Sequence, residues 1–391
     1  MARKLASIVE IEKCEPIPNT DRLSVATMKG KGWQVVVGRD EFKPGSLCVY
    51  FEIDSFLNPN DERYEFLRER CLRRFVSKGG NVVREGIRIK TIKLRGVVSQ
   101  GLLMPLDKFP EVLARVTNKI VLGDGSDTIA VSAEEGGGCI IQPLIGADVT
   151  SILGVEHYDE VREQIQPALG NPISADAMGP FPALIPKTDE ERIQNLGDWF
   201  ETMKGRRWQV TVKHDGTSCT IAYSPSIDEN YSVVVCSRNQ RLKPITASGK
   251  EPVYWQMARK YDIPGKALTY LAINGKEIAF QGEVVGPGIQ SDRNKEKDHE
   301  FRCFRIWNIT DQTWFSPMAT EKICKDYDIP HVQIVERSFP FFDEITTMEE
   351  ALKFAEGKTA EGNEREGVVL KTVDNLPYAS FKIVSNRYLM K

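Results

Sequence analysis

The tetrapeptide Lys213-His214-Asp215-Gly216 places an amine, an imidazole and a carboxylate directly after an alternating apolar run, Trp208–Val212. Strict alternation predicts a strand, so the tetrapeptide lies at the turn where that strand ends. A lysine at such a turn can point into a cleft between sheets. By itself, however, the tetrapeptide more often marks an ordinary hairpin turn with a solvated lysine. Its significance depends on which other residues the fold brings to it.

Four segments further along the chain combine strand patterns with charged or aromatic residues. Each of them has an ordinary interpretation as a charge at a strand end or a phenylalanine in the core. Together they supply a second lysine, carboxylates and an aromatic ring in a fixed order, which is harder to dismiss. The segments are Gln281-Gly282-Glu283, Phe301-Arg302-Cys303-Phe304, Arg365-Glu366-Gly367 and Ser380-Phe381-Lys382.

The chemistry that such a set favours is nucleotidyl transfer through a lysine adduct. A lysine amine attacks phosphorus only when it is neutral, and its usual pKa is about 10.4. Burial and a nearby cation lower that pKa, and Lys382 and a divalent metal are both cations that could act on Lys213. Attack on the α-phosphate of ATP builds negative charge on the phosphoryl oxygens. A metal and Lys382 would stabilise that charge while pyrophosphate leaves roughly in line.

The carboxylates and the aromatic ring can also take part in this chemistry, as metal ligands and as a surface for the base. Mg²⁺ prefers oxygen ligands and keeps several of its waters. We therefore predict that Asp215, Glu283 and Glu366 hold those waters, and carboxylates suit Mg²⁺ and Mn²⁺ alike. Phe304 is predicted to stack on adenine, a contact worth about 1–3 kcal/mol.

Length and strand spacing predict the number and the type of the domains in this chain. At about 100–200 residues per domain, 391 residues form two or three domains. Short runs of β-branched and aromatic residues, separated by turn residues, predict a small OB-like β-barrel at the N-terminus. We assign residues 1–150 to this domain, which would bind nucleic acid or orient ATP. The runs are Ala6–Ile11, Leu23–Thr27, Trp33–Val37 and Leu47–Ile53.

The C-terminal part, residues 187–391, is predicted to be an α+β nucleotidyltransferase domain with a mainly antiparallel sheet. A Pro-rich irregular segment, residues 151–186, is predicted to be the linker. A capping-box sequence, Thr188–Glu191, precedes apolar residues at helical spacing and predicts a helix that begins near Thr188. Strands are predicted at 208–212, 231–237, 277–285, 300–309, 366–372 and 380–384, and helices near 252–274, 317–327 and 347–356.

The charge balance excludes a protein that coats nucleic acid through a generally basic surface. Lys and Arg number 52 against 55 Asp and Glu, a net charge of −3, so a polyanion must be held by a local patch. Residues 63–95 form such a patch, with eleven Lys and Arg against three Glu. Isoleucine and leucine alternate with cations over Arg88–Arg95, which predicts a strand with one basic face. An edge strand protected by Lys and Arg is the equally favoured alternative.

Cysteine spacing and hydropathy predict the compartment. The eight cysteines are scattered, with no CxxC pair and no spacing typical of a zinc site, so we interpret them as reduced core residues. No apolar stretch approaches the ~18 residues that span a bilayer, and the N-terminus lacks the pattern of a signal peptide. We therefore expect a cytoplasmic protein without membrane contact.

The ordered motifs resemble those of the covalent nucleotidyltransferases, the superfamily of ATP-dependent ligases and capping enzymes. DNA ligases and capping enzymes usually carry Arg where this sequence has Ser218, and an OB domain follows their nucleotidyltransferase domain. Here only nine residues follow Lys382, so no OB domain is expected there. The matching elements are KxDG at Lys213, SRN at Ser237–Asn239, GE at Gly282–Glu283, FxxF at Phe301–Phe304, EGVVL at Glu366–Leu370 and SFK at Ser380–Lys382.

The N-terminal half narrows the resemblance to the Naegleria-type RNA ligases, in which an OB domain precedes a minimal nucleotidyltransferase domain. Residues 186–195 (PKTDEERIQN) also look like that family's junction segment. The resemblance implies an ATP-dependent RNA ligase that uses Mg²⁺ or Mn²⁺, and nothing in the sequence demands more than a monomer. The segments that carry it are 16–23 (PIPNTDRL), 42–45 (FKPG), 53–55 (IDS), 90–96 (KTIKLRG) and 99–101 (SQG).

The resemblance also implies roles in nucleotide binding. Lys213 would be the adenylated nucleophile, and Lys382 would contact the α-phosphate. Glu283 would contact the ribose or the waters of the metal, and Glu366 would organise the metal. Phe304 would cover the adenine. The full predicted ATP site comprises Arg192, Asp215, Glu283, Phe304, Glu366 and Lys382.

Further assignments concern phosphates and RNA. Arg192 would reach the ATP phosphates, the alternative being an exposed arginine on a helix. Arg238 would engage the 5′-phosphate of the RNA in the later steps. Some relatives carry a second lysine in the last motif where this sequence has Val384, so that lysine's contact must be absent or supplied elsewhere. The predicted RNA-binding set is Lys90, Lys93, Arg95, Ser218 and Arg238.

Three functions fit the residues. The first is an ATP-dependent RNA ligase that joins a 3′-hydroxyl to a 5′-phosphate at nicks or broken RNA ends. The second is a non-catalytic RNA-binding protein with an OB domain and a decayed second domain, which would not need Lys213, Glu366 and Lys382 together. The third is a nick sealer of the DNA ligase type, because a fold does not determine its substrate.

Overall fold

The computed structural model describes residues 4–77, 79–121, 127–135, 138–165, 176–195, 199–290, 297–374 and 378–390. Contacts divide the chain into two compact units, Met1–Pro172 and Ile173–Leu389. The first unit is almost entirely β-structure. The second unit combines two antiparallel-type sheets with helices, so each unit has the class that the sequence pattern predicts.

The N-terminal unit holds fourteen strands and three short helices among the residues that the structure describes. The strands are β1 (Ala6–Pro16), β2 (Leu23–Met28), β3 (Gln34–Gly38), β4 (Leu47–Phe51), β5 (Ser55–Leu57), β6 (Leu72–Val76), β7 (Val82–Arg88), β8 (Thr91–Leu94), β9 (Val97–Gln100), β10 (Leu102–Pro105), β11 (Val116–Val121), β12 (Asp127–Glu135), β13 (Gly138–Pro143) and β14 (Glu156–His157). The helices are α1 (Arg68–Cys71), α2 (Pro110–Leu113) and α3 (Tyr158–Ile165).

The central sheet of this unit has the strand order β10-β4-β1-β2-β3. Strand β1 is long enough to pair with β4 through its first half and with β2 through its second half, with a bulge between Ile11 and Lys13. A bulge increases local twist and bends the strand, which is how one strand serves two partners in a barrel. Burial alternates along β2 and β3, so one face of the sheet packs on the core around Trp33 and Tyr50.

Within the basic segment 63–95, the single strand predicted over Arg88–Arg95 is interrupted in the structure. Strand β7 ends at Arg88 and β8 runs from Thr91 to Leu94, where Arg95 and Gly96 turn the chain back with φ of 49° and 84°. These left-handed values are those of a two-residue hairpin turn, which pairs β8 with β9. The turn therefore ends β8 at Leu94, and Arg95 lies at the tip of the hairpin.

Several arginines of the basic segment pair with carboxylates of the same unit. Arg88 lies 2.6 Å from Asp54, and Arg74 lies 2.9 Å from Glu85. Further pairs join Arg63 to Asp61 and Glu111, and Arg84 to Glu156. The local charge excess is therefore smaller than the sequence suggests, because Asp54, Asp61, Glu111 and Glu156 lie outside the segment.

The C-terminal unit holds twelve strands and seven helices among its described residues. The strands are β15 (Ala177–Pro180), β16 (Glu191–Arg192), β17 (Trp208–Lys213), β18 (Thr217–Tyr223), β19 (Val233–Cys236), β20 (Gln240–Leu242), β21 (Ile278–Val285), β22 (Glu300–Asn308), β23 (Thr313–Trp314), β24 (Ile334–Phe339), β25 (Gly367–Thr372) and β26 (Ser380–Val384). The helices are α4 (Trp199–Thr202), α5 (Val253–Lys260), α6 (Ile263–Asn274), α7 (Pro317–Asp326), α8 (Phe341–Glu344), α9 (Met348–Ala355) and α10 (Asn386–Met390).

Two sheets form the frame of this unit. The larger has the order β15-β20-β19-β18-β21-β22-β23, and the smaller has the order β16-β26-β25-β17-β24. Helices α5, α6 and α7 contribute to the core of the larger sheet, and α8 and α9 to the core of the smaller one. The six predicted strands and the three predicted helical regions all lie where the structure has strands and helices, within a few residues at the ends.

The helix predicted to begin near Thr188 is wrong. Glu191 and Arg192 instead form the short strand β16, which pairs in parallel with Phe381 and Lys382 of β26. Asp189, a member of the apparent capping box, bonds the side chains of Lys382 and Arg238 rather than a helix N-terminus. Pairing with a distant strand therefore outweighs the local capping signal. Arg192 consequently lies on a strand and not on an exposed helix.

The segment predicted as a linker, 151–186, contains the described elements β14, α3 and β15.

No helix in the described part of the chain is long and apolar enough to cross a membrane.

Candidate active site

Lys213 is the last residue of β17 and lies in register with Gly367, the first residue of the neighbouring strand β25. Glu366 directly precedes Gly367, so the two strands bring the amine and the carboxylate together. Lys213 Nζ donates a hydrogen bond to Glu366 Oε2 at 2.6 Å. Both side chains are mostly buried, with exposed fractions of 25% and 15%.

Two motif glycines allow the strands at the site to approach closely. A Cβ at Gly216 would overlap the carbonyl oxygen of Val284 and lie 2.7 Å from Glu283 Cγ. A Cβ at Gly367 would overlap the carbonyl oxygen of Ile383. Since no other residue lacks a Cβ, the glycines of KxDG and EGVVL are required for packing of the turn and of β25.

Glu283 enters the site from β21, where it lies opposite Ser218 of β18. Burial raises the pKa of Glu283 to about 8, with Lys213 opposing the shift and Glu366 and Asp215 adding to it. A carboxyl group with this pKa is largely protonated at neutral pH. Glu283 is therefore a carboxylic acid in this structure, next to the amine of Lys213.

The charge state of Lys213 differs from the sequence-based expectation. Burial would lower the pKa of Lys213, but Glu366, Glu283 and Asp215 raise it, and the resulting direction is upward. Lys382, which we expected to lower this pKa, instead lies 2.7 Å from Asp189. In this structure Lys213 is therefore an ammonium ion that donates a hydrogen bond to Glu366.

Asp215 and His214 are held by Tyr388 and Arg302, to which the sequence analysis assigns no role. Tyr388 Oη, on α10, donates a hydrogen bond to Asp215 Oδ2 at 3.0 Å. Arg302 Nη1 lies 3.0 Å from His214 Nδ1, and because guanidinium can only donate, Nδ1 is the acceptor. Burial, with Arg302 next, lowers the pKa of His214 to about 3, so its imidazole is neutral.

Phe304 lies at a β-bulge in β22. Cys303 pairs with Gly282 and Arg305 pairs with Gln281, which leaves Phe304 without a partner residue on β21. A bulge re-aims the side chain that it carries. Here it directs Phe304 to the wall of the site, where the buried Lys371 of β25 donates a hydrogen bond to the Phe304 carbonyl oxygen.

Two of the cations predicted to bind phosphate share one carboxylate. Asp189 Oδ1 lies 2.7 Å from Lys382 Nζ, and Asp189 Oδ2 lies 3.2 Å from Arg238 Nη2. Arg192 pairs with Lys382 in the ladder between β16 and β26. Lys382 and Arg192 are therefore neighbours in the smaller sheet, and Asp189 links Lys382 to Arg238, which lies between β19 and β20 of the larger sheet and is 57% exposed.

A cavity of about 350 Å³ connects these residues within the C-terminal unit. Its lining includes most of the predicted site, namely Lys213, Asp215, Ser218, Arg238, Glu283, Phe304, Glu366 and Lys382. Arg192 borders Lys382 but does not line the cavity. Lys90, Lys93 and Arg95 belong to the N-terminal unit, where Lys93 and Arg95 are exposed and Lys90 is half-buried.

The sequence analysis missed four residues of this site. Asp189, Glu190 and Lys371 line the cavity, and Tyr388 bonds Asp215. Lys371 stands five residues after Glu366, on strand β25. Alternation along this strand places Lys371 on the same face as Val369, which also lines the cavity, so this pattern could have identified it. The sequence carried no signal for Tyr388 or Asp189, because the Tyr388–Asp215 and Asp189–Lys382 contacts join segments more than 170 residues apart.

The donor set fits a hydrated divalent cation rather than one bound directly by the protein. Among the residues that the structure describes, no three His, Cys, Asp or Glu side chains are arranged to hold a metal ion. Asp215, Glu283 and Glu366 nevertheless all line the cavity and offer oxygen atoms. Mg²⁺ and Mn²⁺ accept such ligands, and Mg²⁺ in particular retains several waters.

Two family models match the chain. An OB-fold domain model matches residues 5–106, and an RNA ligase model matches residues 206–385, which contain the cavity residues from Lys213 onward. No curated protein matches the chain.

Solved structures of the RNA ligase of Naegleria gruberi match almost the entire chain. A glutamate-to-alanine mutant with AMP and Mn gives a TM-score of 0.68 at 31% identity, covering 99% of this chain and 98% of that chain. The ligase with PPi gives a TM-score of 0.66 at 31% identity and the same coverage. This chain belongs to the RNA ligase family. Since the likeness extends over both units, the predicted family, the fold class and the enzyme activity of this RNA ligase are confirmed, and its substrate is RNA.

Proposed function

We propose that this RNA ligase joins RNA ends through a lysyl-AMP intermediate on Lys213. It uses ATP and a divalent metal ion. The Naegleria gruberi structures support this, because they contain AMP or ATP together with Mn. The observation that carries the proposal is the position of Lys213. Its amine lies in the cavity 2.6 Å from Glu366, with Phe304 and Lys382 also in the cavity lining.

In the first step the amine of Lys213 attacks the α-phosphorus of ATP. A nitrogen–phosphorus bond forms, the bond to the β-phosphate breaks, and pyrophosphate leaves with the electron pair. Lys213 must first lose a proton, and Glu366 is the acceptor already bonded to it. Lys382 stabilises the negative charge that develops on the α-phosphate oxygens.

In the later steps AMP moves to the RNA and is then released. The 5′-phosphate attacks the phosphorus of lysyl-AMP, so that the bond to Lys213 breaks and an RNA-adenylate forms. The 3′-hydroxyl then attacks the 5′-phosphate, loses its proton to solvent and expels AMP. Arg238 is exposed at the rim of the cavity, where it can receive the 5′-phosphate.

The carboxylates organise the metal. A Mg²⁺ or Mn²⁺ ion held through water by Asp215, Glu283 and Glu366 would neutralise charge on the phosphoryl oxygens. Phe304 covers the adenine, and its bulge presents the ring to the cavity. Arg192 does not line the cavity, but its pairing with Lys382 in the sheet would allow its side chain to contact the ATP phosphates.

Sealing of matched nicks should distinguish an RNA ligase from a general nick sealer. With RNA on the 3′-hydroxyl side we expect sealing about tenfold faster or more than with DNA, because a site that bonds the 2′-hydroxyl rejects a strand that lacks it. Rates are measured on two nicked duplexes that differ only in that strand. Equal rates would instead support the alternative of a sealer of the DNA ligase type.

The N-terminal unit supplies the second test. Neutralising Lys90, Lys93 and Arg95 should weaken RNA binding and flatten its dependence on salt by about 2–3 in the slope, since each lost phosphate contact removes about 0.7–0.9. The triple variant is Lys90→Gln, Lys93→Gln and Arg95→Asn, because asparagine tolerates the left-handed backbone of Arg95. Binding is measured by titration at several salt concentrations.

The matched control neutralises Arg74 and Arg84, which already pair with Glu85 and Glu156. The control should change the salt slope less than the triple variant does. Self-adenylation should stay nearly constant in the triple variant if the unit acts on RNA. A large loss of self-adenylation would assign the three cations to the orientation of the leaving pyrophosphate instead.

We further propose that the enzyme acts as a monomer on nicked duplexes or broken RNA ends in the cytoplasm. The cavity lining, from Thr188 to Lys382, lies within the C-terminal unit, and nothing in the sequence demands more than a monomer. Free thiols, expected where thiols remain reduced, are found at Cys14, Cys48, Cys71, Cys219, Cys236, Cys303 and Cys324.

A further inference from the structure

Lys371 reaches from one sheet of the C-terminal unit to the bulge of the other. It lies on β25 in the smaller sheet and is 3% exposed. Its amine donates a hydrogen bond to the carbonyl oxygen of Phe304, on β22 of the larger sheet. The amine also lies 5.5 Å from the centroid of the Phe304 ring, within the range of a cation–π contact. One side chain therefore contacts both the backbone and the ring of Phe304.

A buried lysine is costly unless its amine is satisfied. Among the described residues, no carboxylate forms an ion pair with Lys371. Phe304 instead accepts a hydrogen bond from the Lys371 amine and provides its ring contact. Burial, with Arg305 next, lowers the pKa of Lys371 to about 8. The amine can donate to a carbonyl oxygen in either charge state, so the contact with Phe304 persists over the neutral range.

Phe304 needs such a contact because the sheet does not fix it. The residues on either side pair with Gly282 and Gln281, but Phe304 has no partner residue on β21. Nearby, the Arg305 side chain lies between the rings of Trp314 and Tyr378, at 4.3 and 4.6 Å from their centroids. The neighbouring residue is therefore anchored by aromatic rings, and Phe304 is anchored by Lys371.

We infer that Lys371 is a positioning residue that holds Phe304 in the orientation needed to stack on the adenine of ATP. This inference rests on the proposed function, in which Phe304 covers the base. Lys371 itself does no chemistry on the phosphates. Its loss should therefore weaken the binding of a nucleotide with a base and leave the binding of a bare polyphosphate unchanged.

The first experiment compares Lys371→Met with the wild-type enzyme in self-adenylation. Methionine keeps an unbranched apolar side chain but removes the donor. We expect the KM for ATP to rise about fivefold or more, which corresponds to losing at least the lower end of a stacking contact, while kcat changes less than twofold. Inhibition by inorganic tripolyphosphate, which has no base, should be unchanged. The same substitution at Lys322, a 74% exposed lysine on α7, is the matched control.

A double-mutant cycle separates positioning from a general loss of structure. If Lys371 acts through Phe304, then Lys371→Met together with Phe304→Ala should raise the KM no further than Phe304→Ala alone. Additive effects would overturn the inference. Weaker inhibition by tripolyphosphate in Lys371→Met would also overturn it, because that inhibitor cannot contact Phe304 by stacking.

A second variant covers the case in which Lys371→Met does not fold. Lys371→Gln is shorter but retains a donor, and a KM between those of the wild type and Phe304→Ala is expected. An unchanged KM with a normal tripolyphosphate response in either folded variant would refute the role of Lys371. The proposed lysyl-AMP chemistry is tested separately, by whether α-labelled ATP labels the wild-type protein. Failure of that chemistry can therefore be distinguished from failure of the role of Lys371.

Discussion

Lys213→Ala should abolish the transfer of label from α-labelled ATP to the protein. The amine is the group we propose to attack the α-phosphorus, and alanine leaves no nucleophile in its place. The loss should exceed the roughly 100–10,000-fold that removal of an acid or base usually causes, because no covalent product can form at that position. The measurement is incorporation of label with Mg²⁺ or Mn²⁺, followed by mapping of the labelled peptide.

A substrate that bypasses the first step serves as the control for the folded state. The Lys213→Ala variant should still seal RNA that already carries a 5′-adenylate, because that step needs the cavity but not the amine. Lys204→Ala, at a lysine that pairs with Glu201 on the surface, should label normally. Labelling that survives Lys213→Ala, or a labelled peptide without Lys213, would refute the assignment.

Gly216→Ala should reduce self-adenylation by about 100-fold. The new Cβ would overlap the carbonyl oxygen of Val284 and lie 2.7 Å from Glu283 Cγ, so the turn must move away from β21 by about 1 Å. A displacement of that size at a catalytic group typically costs about 100-fold in rate. The affected groups are Lys213 and Asp215, which flank the turn. The rate is measured with saturating ATP so that binding does not mask the effect.

Gly179→Ala is the matched control, because a Cβ at Gly179 has no atom within 4 Å and its backbone needs no left-handed conformation. That variant should adenylate at the wild-type rate. A thermal unfolding curve for each variant separates a displaced turn from a destabilised chain. If Gly216→Ala retains the wild-type rate, then close approach of the turn to β21 is not needed for catalysis.

The strands that carry the site could be predicted from sequence, because alternation and motif order are local properties. The strands that carry or directly adjoin Lys213, Glu283 and Glu366 lie where the pattern places them. The cavity then gathers these residues because antiparallel pairing aligns Lys213 with Gly367 and Ser218 with Glu283. Residue type and strand order were sufficient for this part.

The remainder depends on contacts between distant segments. A capping-box sequence at Thr188 predicts a helix, yet the structure pairs Glu191 and Arg192 with the last strand of the sheet. The pKa of Lys213 is raised and not lowered, because the acidic side chains of Glu366, Glu283 and Asp215 oppose the effect of burial. Patterns along the chain report which residues alternate, but not which charges meet across a sheet.

The bulge at Phe304 illustrates the same limit at the scale of one residue. The sequence places Phe304 on a strand, but nothing local reveals that the ladder omits it. The ion pairs that neutralise Arg63, Arg84 and Arg88 also involve carboxylates outside the basic segment. Counting charges within that segment therefore overestimated the free positive charge.

The separation of the site residues along the chain has a consequence for biosynthesis. Lys213 and its partner Glu366 are 153 residues apart, and Lys382 and Asp189 are 193 residues apart. Contacts of such long range form only after the intervening chain has been made. During translation the nucleophile emerges well before the carboxylate and the strand that complete its surroundings. A ribosome-bound or prematurely terminated chain would therefore hold the lysine without the means to consume ATP.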